Sequence, residues 1–198
     1  MCASVLIVLS LFIFGSLIDG SQGSVEWKNY SKIEIYENAI QIDALPFNES
    51  IYVGQVHVSD NISEAHLPAN IIIGENYTRV TLNKKLLFIF EDIKILVSNN
   101  KEKFGWKGTN KDNFYKHFDQ NEYVPFQVGW EYNSVEKFNA SIYLGKALIP
   151  ALGGHFIGKV YKGHPDENRN GRLWIDFPAD EYPYWLNKGN FELAVLYK

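Results

Sequence analysis

Phe47-Asn-Glu-Ser-Ile-Tyr-Val-Gly54 recurs 91 residues later as Phe138-Asn-Ala-Ser-Ile-Tyr-Leu-Gly145. Six of the eight positions are identical, and Val for Leu is conservative. The first copy runs on as Ser50-Ile-Tyr-Val-Gly-Gln-Val-His-Val58, an alternation of period two carried by β-branched and aromatic residues, which predicts a half-buried strand. A second landmark follows each copy: Phe90-Glu-Asp-Ile-Lys-Ile-Leu-Val97 corresponds to Phe191-Glu-Leu-Ala-Val-Leu196. The interval between landmarks is ten residues longer in the second copy, and the excess falls on the charged loop Gly163 to Gly171. Two copies are fewer than the roughly three that a solenoid needs. They predict instead two homologous halves packed with pseudo-twofold symmetry around one core. The expected organisation is a first repeat at 23–97, a polar linker at 98–113 and a second repeat at 114–198.

Outward from the repeat the pattern holds. Lys32-Ile-Glu-Ile-Tyr36, Arg79-Val-Thr-Leu82 and Lys94-Ile-Leu-Val97 alternate in the same way. Turn-forming clusters separate them at Ser59-Asp-Asn61, Gly74-Glu-Asn76, Asn83-Lys-Lys85, Asn168-Arg-Asn-Gly171 and Asn187-Lys-Gly189. Short strands punctuated this closely predict an all-β sandwich or barrel-like module. The one helical expectation is a short turn within Lys111 to Asp119.

The other end of the chain speaks to address. Val5 to Ile18 is an apolar run of 14 residues, short of the roughly 20 that span a bilayer. Small residues follow it, so residues 1–22 are expected to be a signal peptide cleaved between Gly20 and Gly23. The single Cys, Cys2, would leave with it. A secreted domain without disulfides must be held by its core. Asp19 would leave too, so 22 acidic residues face 19 basic ones in the mature chain. That balance argues against nucleic acid, which needs a basic face. Beyond the leader no apolar stretch is long enough to span a membrane. Five N-x-[ST] sequons, at Asn29, Asn48, Asn61, Asn76 and Asn139, predict an extracellular glycoprotein.

These motifs together resemble the DM-nine repeat, found in insect secreted proteins, mollusc lectins and natterin-like toxins. The first copy offers Glu37-Asn-Ala-Ile40, Ile51-Tyr-Val-Gly54, Leu67-Pro68 and Phe90-Glu91; the second offers Val124-Pro125, Ile142-Tyr-Leu-Gly-Lys-Ala147, Ile157-Gly-Lys-Val160 and Phe191-Glu-Leu. The resemblance covers nearly all of the mature chain. It implies interlocked paired repeats and, by analogy with lectin members, mannose binding through an acid before the Ile-Tyr strand and the Lys of a Gly-Lys step. Carried over, those residues are Glu136 and Lys159: the carboxylate would accept from two hydroxyls and the ammonium would donate to another. The first copy departs from the pattern. Pro68-Ala-Asn70 puts Asn where the Lys should be, and Leu45 stands seven before Tyr52, with Asp43 two further back. The family's Gly-Asp-rich turn is missing from both copies.

Other chemistry is sparse. Trp174, Phe177, Tyr182, Tyr184 and Trp185 surround Asp176, Asp180 and Glu181, a set that suits either sugar stacking or, as the favoured reading, the core and rim that close a β domain. His57 and His66, like His155 and His164, are nine apart, which matches no tight metal motif. No G-x-S-x-G elbow, phosphate loop or dinucleotide fingerprint occurs. The expectation is a secreted, non-enzymatic protein without cofactor or metal that recognises glycans through Lys159 and Glu136, with a homodimer adding avidity. The alternative is a venom, salivary or extracellular structural protein of the same fold that binds no sugar.

Overall fold

The computed structural model describes residues 25–31, 36–44, 50–83, 85–150, 153–176, 184–185 and 190–198. The expected signal peptide, the Asn48 sequon and Phe177, Asp180, Glu181 and Tyr182 lie outside them. In chain order the strands are β1 (Val25–Asn29), β2 (Gln41–Ala44), β3 (Ser50–Ser59), β4 (Ser63–Ile72), β5 (Thr78–Leu82), β6 (Lys85–Ile89), β7 (Lys94–Ser98), β8 (Phe104–Thr109), β9 (Tyr123–Pro125), β10 (Gln127–Asn133), β11 (Phe138–Ile149), β12 (Gly154–Lys162), β13 (Leu173–Ile175), β14 (Tyr184–Trp185) and β15 (Phe191–Tyr197). Two 3-10 turns complete the set, Lys101–Lys103 and Phe114–Asp119. The second falls within the one segment for which a helical turn was expected. The fold is all-β and its ladders are antiparallel.

The described part of the repeated phrase, from Ser50 in the first copy and from Phe138 in the second, lies on the two long strands, β3 and β11, and each is paired in the same way. Along its first part β3 pairs with β2, where Tyr52 faces Gln41 beside a bulge. At Gly54 the same edge passes to β7, with Gly54 opposite Ile95. In β11, Tyr143 faces Gln127 beside a bulge in β10, and Gly145 passes the edge to β15 opposite Leu193. The other edges take β4 and β12 along almost their full length. The glycine at each handover has a steric reason. A Cβ on Gly54 would stand 2.7 Å from Ile71 Cγ1 and 2.8 Å from the Ala69 carbonyl; on Gly145 it would stand 2.8 Å from Leu173 Cδ1 and Val160 Cγ2.

The two halves meet where β4 pairs with β10. A second seam runs between β4 and β12, where the Asn70 amide donates to the Ile157 carbonyl at 3.0 Å and accepts from its N–H at 2.9 Å. One continuous apolar cluster serves both halves, from Ala39 and Ile51 through Ile142 and Leu144 to Leu193 and Leu196. Beside this sheet stands the β5–β6 hairpin, paired only within itself among the described residues.

One boundary differs from expectation. The polar stretch 98–113 is not a simple linker, since β8 lies inside it and pairs with β15 from Thr109–Phe191 to Phe104–Leu196. Phe104-Gly-Trp-Lys-Gly-Thr109 is an edge strand whose aromatics alternate with glycine and lysine, so its mean composition hides its periodicity. The second half therefore opens with β8 beside β15, as the first opens with β1 beside β7.

Candidate functional site

Lys159 and Glu136 are not brought together. Glu136 is exposed in the β10–β11 turn, its amide donating to Asn133 Oδ1 at 2.8 Å. Lys159 lies on β12 opposite Leu144, six residues along β11 from Phe138, where that turn ends. At about 3.3 Å per residue the backbones are ~20 Å apart. Lys159 is also buried, at 5 % exposure. Its Nζ donates to the Thr81 carbonyl at 2.7 Å and lies 3.3 Å from Asp176 Oδ2, which also accepts from the Thr81 N–H at 2.8 Å. The ammonium thus ties the β5–β6 hairpin to β12 and the end of β13. Asn70, opposite Val53 on β4, occupies the corresponding place in the first half. Its amide closes the β4–β12 seam.

The aromatic set at 174–185 is partly described. Trp174 and Ile175 are buried on β13, and Trp174 pairs with Trp185 on β14. Asp176 is engaged by Lys159. Trp174 is thus a core residue and Asp176 part of an internal ion pair. A cavity of ≈ 20 Å³ beside Asp176, lined also by Asn70, Glu75, Thr78 and Arg79, is far below the roughly 300 Å³ at which ligand sites begin.

His57 and His66 stand directly opposite each other on β3 and β4, with ring centres 4.8 Å apart, and His66 packs 5.3 Å from Trp130. Burial, helped by His57 and Lys94, holds His66 below its ordinary value of 6.5. Among the described residues no group of three or more His, Cys, Asp or Glu could hold a metal ion.

An open groove of ≈ 480 Å³ lies elsewhere, between the first half and β8. Tyr36, Tyr52, Phe104 and Trp106 line it, with Glu37, Gln41 and Lys101 as its polar members. The four rings are half-buried, so each is held by packing and still offers a face or an edge to solvent. Three separate segments build the groove. The tight turn before β2 places Tyr36 and Glu37: the Ala39 N–H bonds the Tyr36 carbonyl at 2.9 Å, and the Tyr36 hydroxyl reaches the Asn29 carbonyl at 3.3 Å. Tyr52 stands opposite Gln41 at the bulge. The 3-10 turn, capped where Asn100 Oδ1 accepts from the Glu102 N–H, delivers Lys101 and leads into Phe104 and Trp106. These two rings meet edge-on at 5.5 Å, and the Lys146 ammonium lies 4.6 Å over Trp106 while pairing with Glu192 at 3.2 Å. Such a groove can stack apolar faces on its rings, donate from Lys101 and accept at Glu37, with Gln41 able to do both.

The corresponding place in the second half is filled. Tyr143 also faces a Gln across a bulge, but Phe114 and Phe118 pack edge-on to its ring at 6.0 and 4.9 Å. Phe114 has no exposure at all, and Lys162 caps Phe118 with its ammonium 3.7 Å from the ring centre. The repeated Tyr thus has like backbone pairing in both halves and unlike cover: open at Tyr52, plugged at Tyr143. No residue of this groove was singled out from the sequence as binding. The available signals were an aromatic pair inside a polar stretch, at Phe104 and Trp106, and the duplicated Tyr itself.

No family model matches the chain, and no curated protein matches it. Among solved structures, the crystal structure of the nematode sperm cell motility protein MFP2B is similar, with a TM-score of 0.51 and 16% sequence identity. The match covers 88% of this chain and 47% of that one, so the chain spans about half the length of its structural neighbour. At that identity the likeness is one of all-β fold.

Proposed function

We propose that this chain is a secreted, non-enzymatic binding protein that recognises carbohydrate of mannose type, and that the groove between Tyr36, Tyr52, Phe104 and Trp106 is its site. The observation that carries this reading is the pairing of half-exposed rings with Glu37, Gln41 and Lys101 in an opening of ligand size. Sugars present alternating C–H faces and hydroxyls, which ask for both kinds of wall. The resemblance to DM-nine lectins points to the same ligand class, though through different residues. The apolar leader and the sequons support the extracellular address; Asn29, Asn61, Asn76 and Asn139 are all exposed, as glycan acceptors must be.

The test is retention on immobilised yeast mannan. Trp106→Ala and Tyr52→Ala are each expected to weaken retention about tenfold, as the loss of one stacked ring worth roughly 1 to 1.5 kcal/mol predicts. Retention unchanged in both variants removes the groove from the account. The second reading, a venom, salivary or extracellular structural protein without sugar binding, is favoured by one observation: Lys159, the cation aligned with the lectin residue, is spent on an internal ion pair. A wild-type chain that binds no glycan selects it.

A further inference from the structure

The β5–β6 hairpin is packed on one side and leaves large aromatic rings exposed on the other. Its inner side is firmly attached. Val80 and Leu82 are buried, Leu87 and Ile89 pack against the core, and both polar atoms of the Thr81 backbone are held, by Lys159 and Asp176. Its outer side is aromatic. Phe88 and Phe90 are 52% and 61% exposed, and the Tyr77 ring stands 5.6 and 5.7 Å from them. Arg79, opposite Phe88, lays its guanidinium over Tyr77 and Phe88 at 4.9 and 5.6 Å. One edge of β6 is taken by β5, and among the described residues the other edge has no strand beside it. An unprotected edge with an uncharged apolar centre invites another strand, and proteins ordinarily blunt or cover it.

The sequence around that edge says which strand fits. Lys84-Lys-Leu-Leu-Phe-Ile-Phe-Glu-Asp92 is charge-palindromic: two lysines, five apolar residues, two acids. Set antiparallel against itself about an axis through Phe88, Leu86 meets Phe90 of the second copy, Leu87 meets Ile89, Phe88 meets itself, and Lys85 comes opposite Glu91, where the chain begins to bend away past the end of β6. A parallel arrangement would place lysine on lysine, and moving the axis by one residue to Leu87 would set Lys85 against Ile89. Opposite charges and aromatic or aliphatic pairs directly across an antiparallel ladder are the favourable combinations.

We propose that the open edge of β6 is a homotypic interface, on which a second copy of this chain pairs antiparallel about Phe88, from Lys85 to Glu91, to give a four-stranded β5-β6-β6-β5 sheet with twofold symmetry. The two grooves of the pair would then serve one multivalent surface. The interface itself does not depend on what the grooves bind.

The experiment is the molar mass of the secreted chain in solution, by sedimentation at micromolar concentration. The wild type is expected at twice the monomer mass. Lys85→Glu and Glu91→Lys each place like charges at two symmetry-related positions and are expected to run as monomers. Mixed in equal amounts, the two variants regain both attractive pairs and are expected to return to the dimer mass, as is the doubly substituted chain alone. Both side chains are exposed, so folding is not at stake, and recovery on mixing confirms it. A monomeric wild type, dimers in both single variants, or a mixture that stays monomeric overturns the proposal.

Discussion

Lys159 shows how a residue can match a binding motif and be committed elsewhere. Its ammonium is held by a carbonyl and a carboxylate in a buried site, so removing it leaves Asp176 as an uncompensated charge. Lys159→Met is expected to cost about 3 kcal/mol in urea denaturation, the lower end for breaking a buried pair. Lys159→Met combined with Asp176→Leu should recover most of that loss, and a double variant no more stable than the single one contradicts this role. The pairing was not legible because Asp176 is 17 residues away, past a charged loop, and nothing in Ile157-Gly-Lys-Val160 signals that the chain returns. The Asn at the equivalent position 70 was the available hint. A seam residue can change its charge when its partners change, whereas a sugar ligand shared by both copies would have kept it. Glu136 is exposed.

At the scale of elements, β3 and β11 were the most legible. Their alternation, their closing glycines and the phrase they share came through because each strand is long and more than half of its residues are buried. β8 was obscured because an edge strand beside solvent keeps Lys and Gly between its aromatics. The 3-10 turn at Phe114–Asp119 was foreseen as local structure, but its role was not: Phe114 fills the space over Tyr143 that stands open over Tyr52. Phe114→Ala is expected to cost 3–5 kcal/mol, the usual range for emptying a fully buried ring, read from the denaturation midpoint. A loss below about 1 kcal/mol would show that the turn does not seal the second half. Groove residues come from three segments, 36–41, 52 and 101–106, and only the fold makes them neighbours, so no linear motif announced them.

For the whole molecule, the two halves share one apolar cluster and no disulfide is needed to join them. Three histidines, His164 buried and His66 and His117 half-buried, make its stability depend on pH. Burial is the leading cause in each case: His66 is aided by His57 and Lys94, His117 by Lys107 and His164 by Arg169, and all three lie below the ordinary 6.5. The unfolded chain therefore takes up protons that the folded one refuses. Their contribution is present above pH 6.5 and is lost as pH falls through the folded-state values. The melting temperature is expected to drop from pH 7.5 to pH 5, with net proton uptake on unfolding; a flat profile there contradicts it. At the alkaline end, Tyr161 is fully buried with its hydroxyl 2.6 Å from Glu131 Oε2, and burial foremost, then the Glu131 charge, holds its pKa well above 10. That contribution should persist below pH 10 and fade above it.

The claim on which the account turns is that ligand is taken at the open face of the first half. Titration of the isotope-labelled chain with mannotriose, followed by amide and indole NMR shifts, tests it directly. The account predicts shifts at the Trp106 indole N–H and at the amides of Gln41, Tyr52 and Lys101, with the amides of Glu136 and Lys159 unmoved. Shifts centred on Glu136 or Lys159, or none anywhere at millimolar sugar, would contradict it.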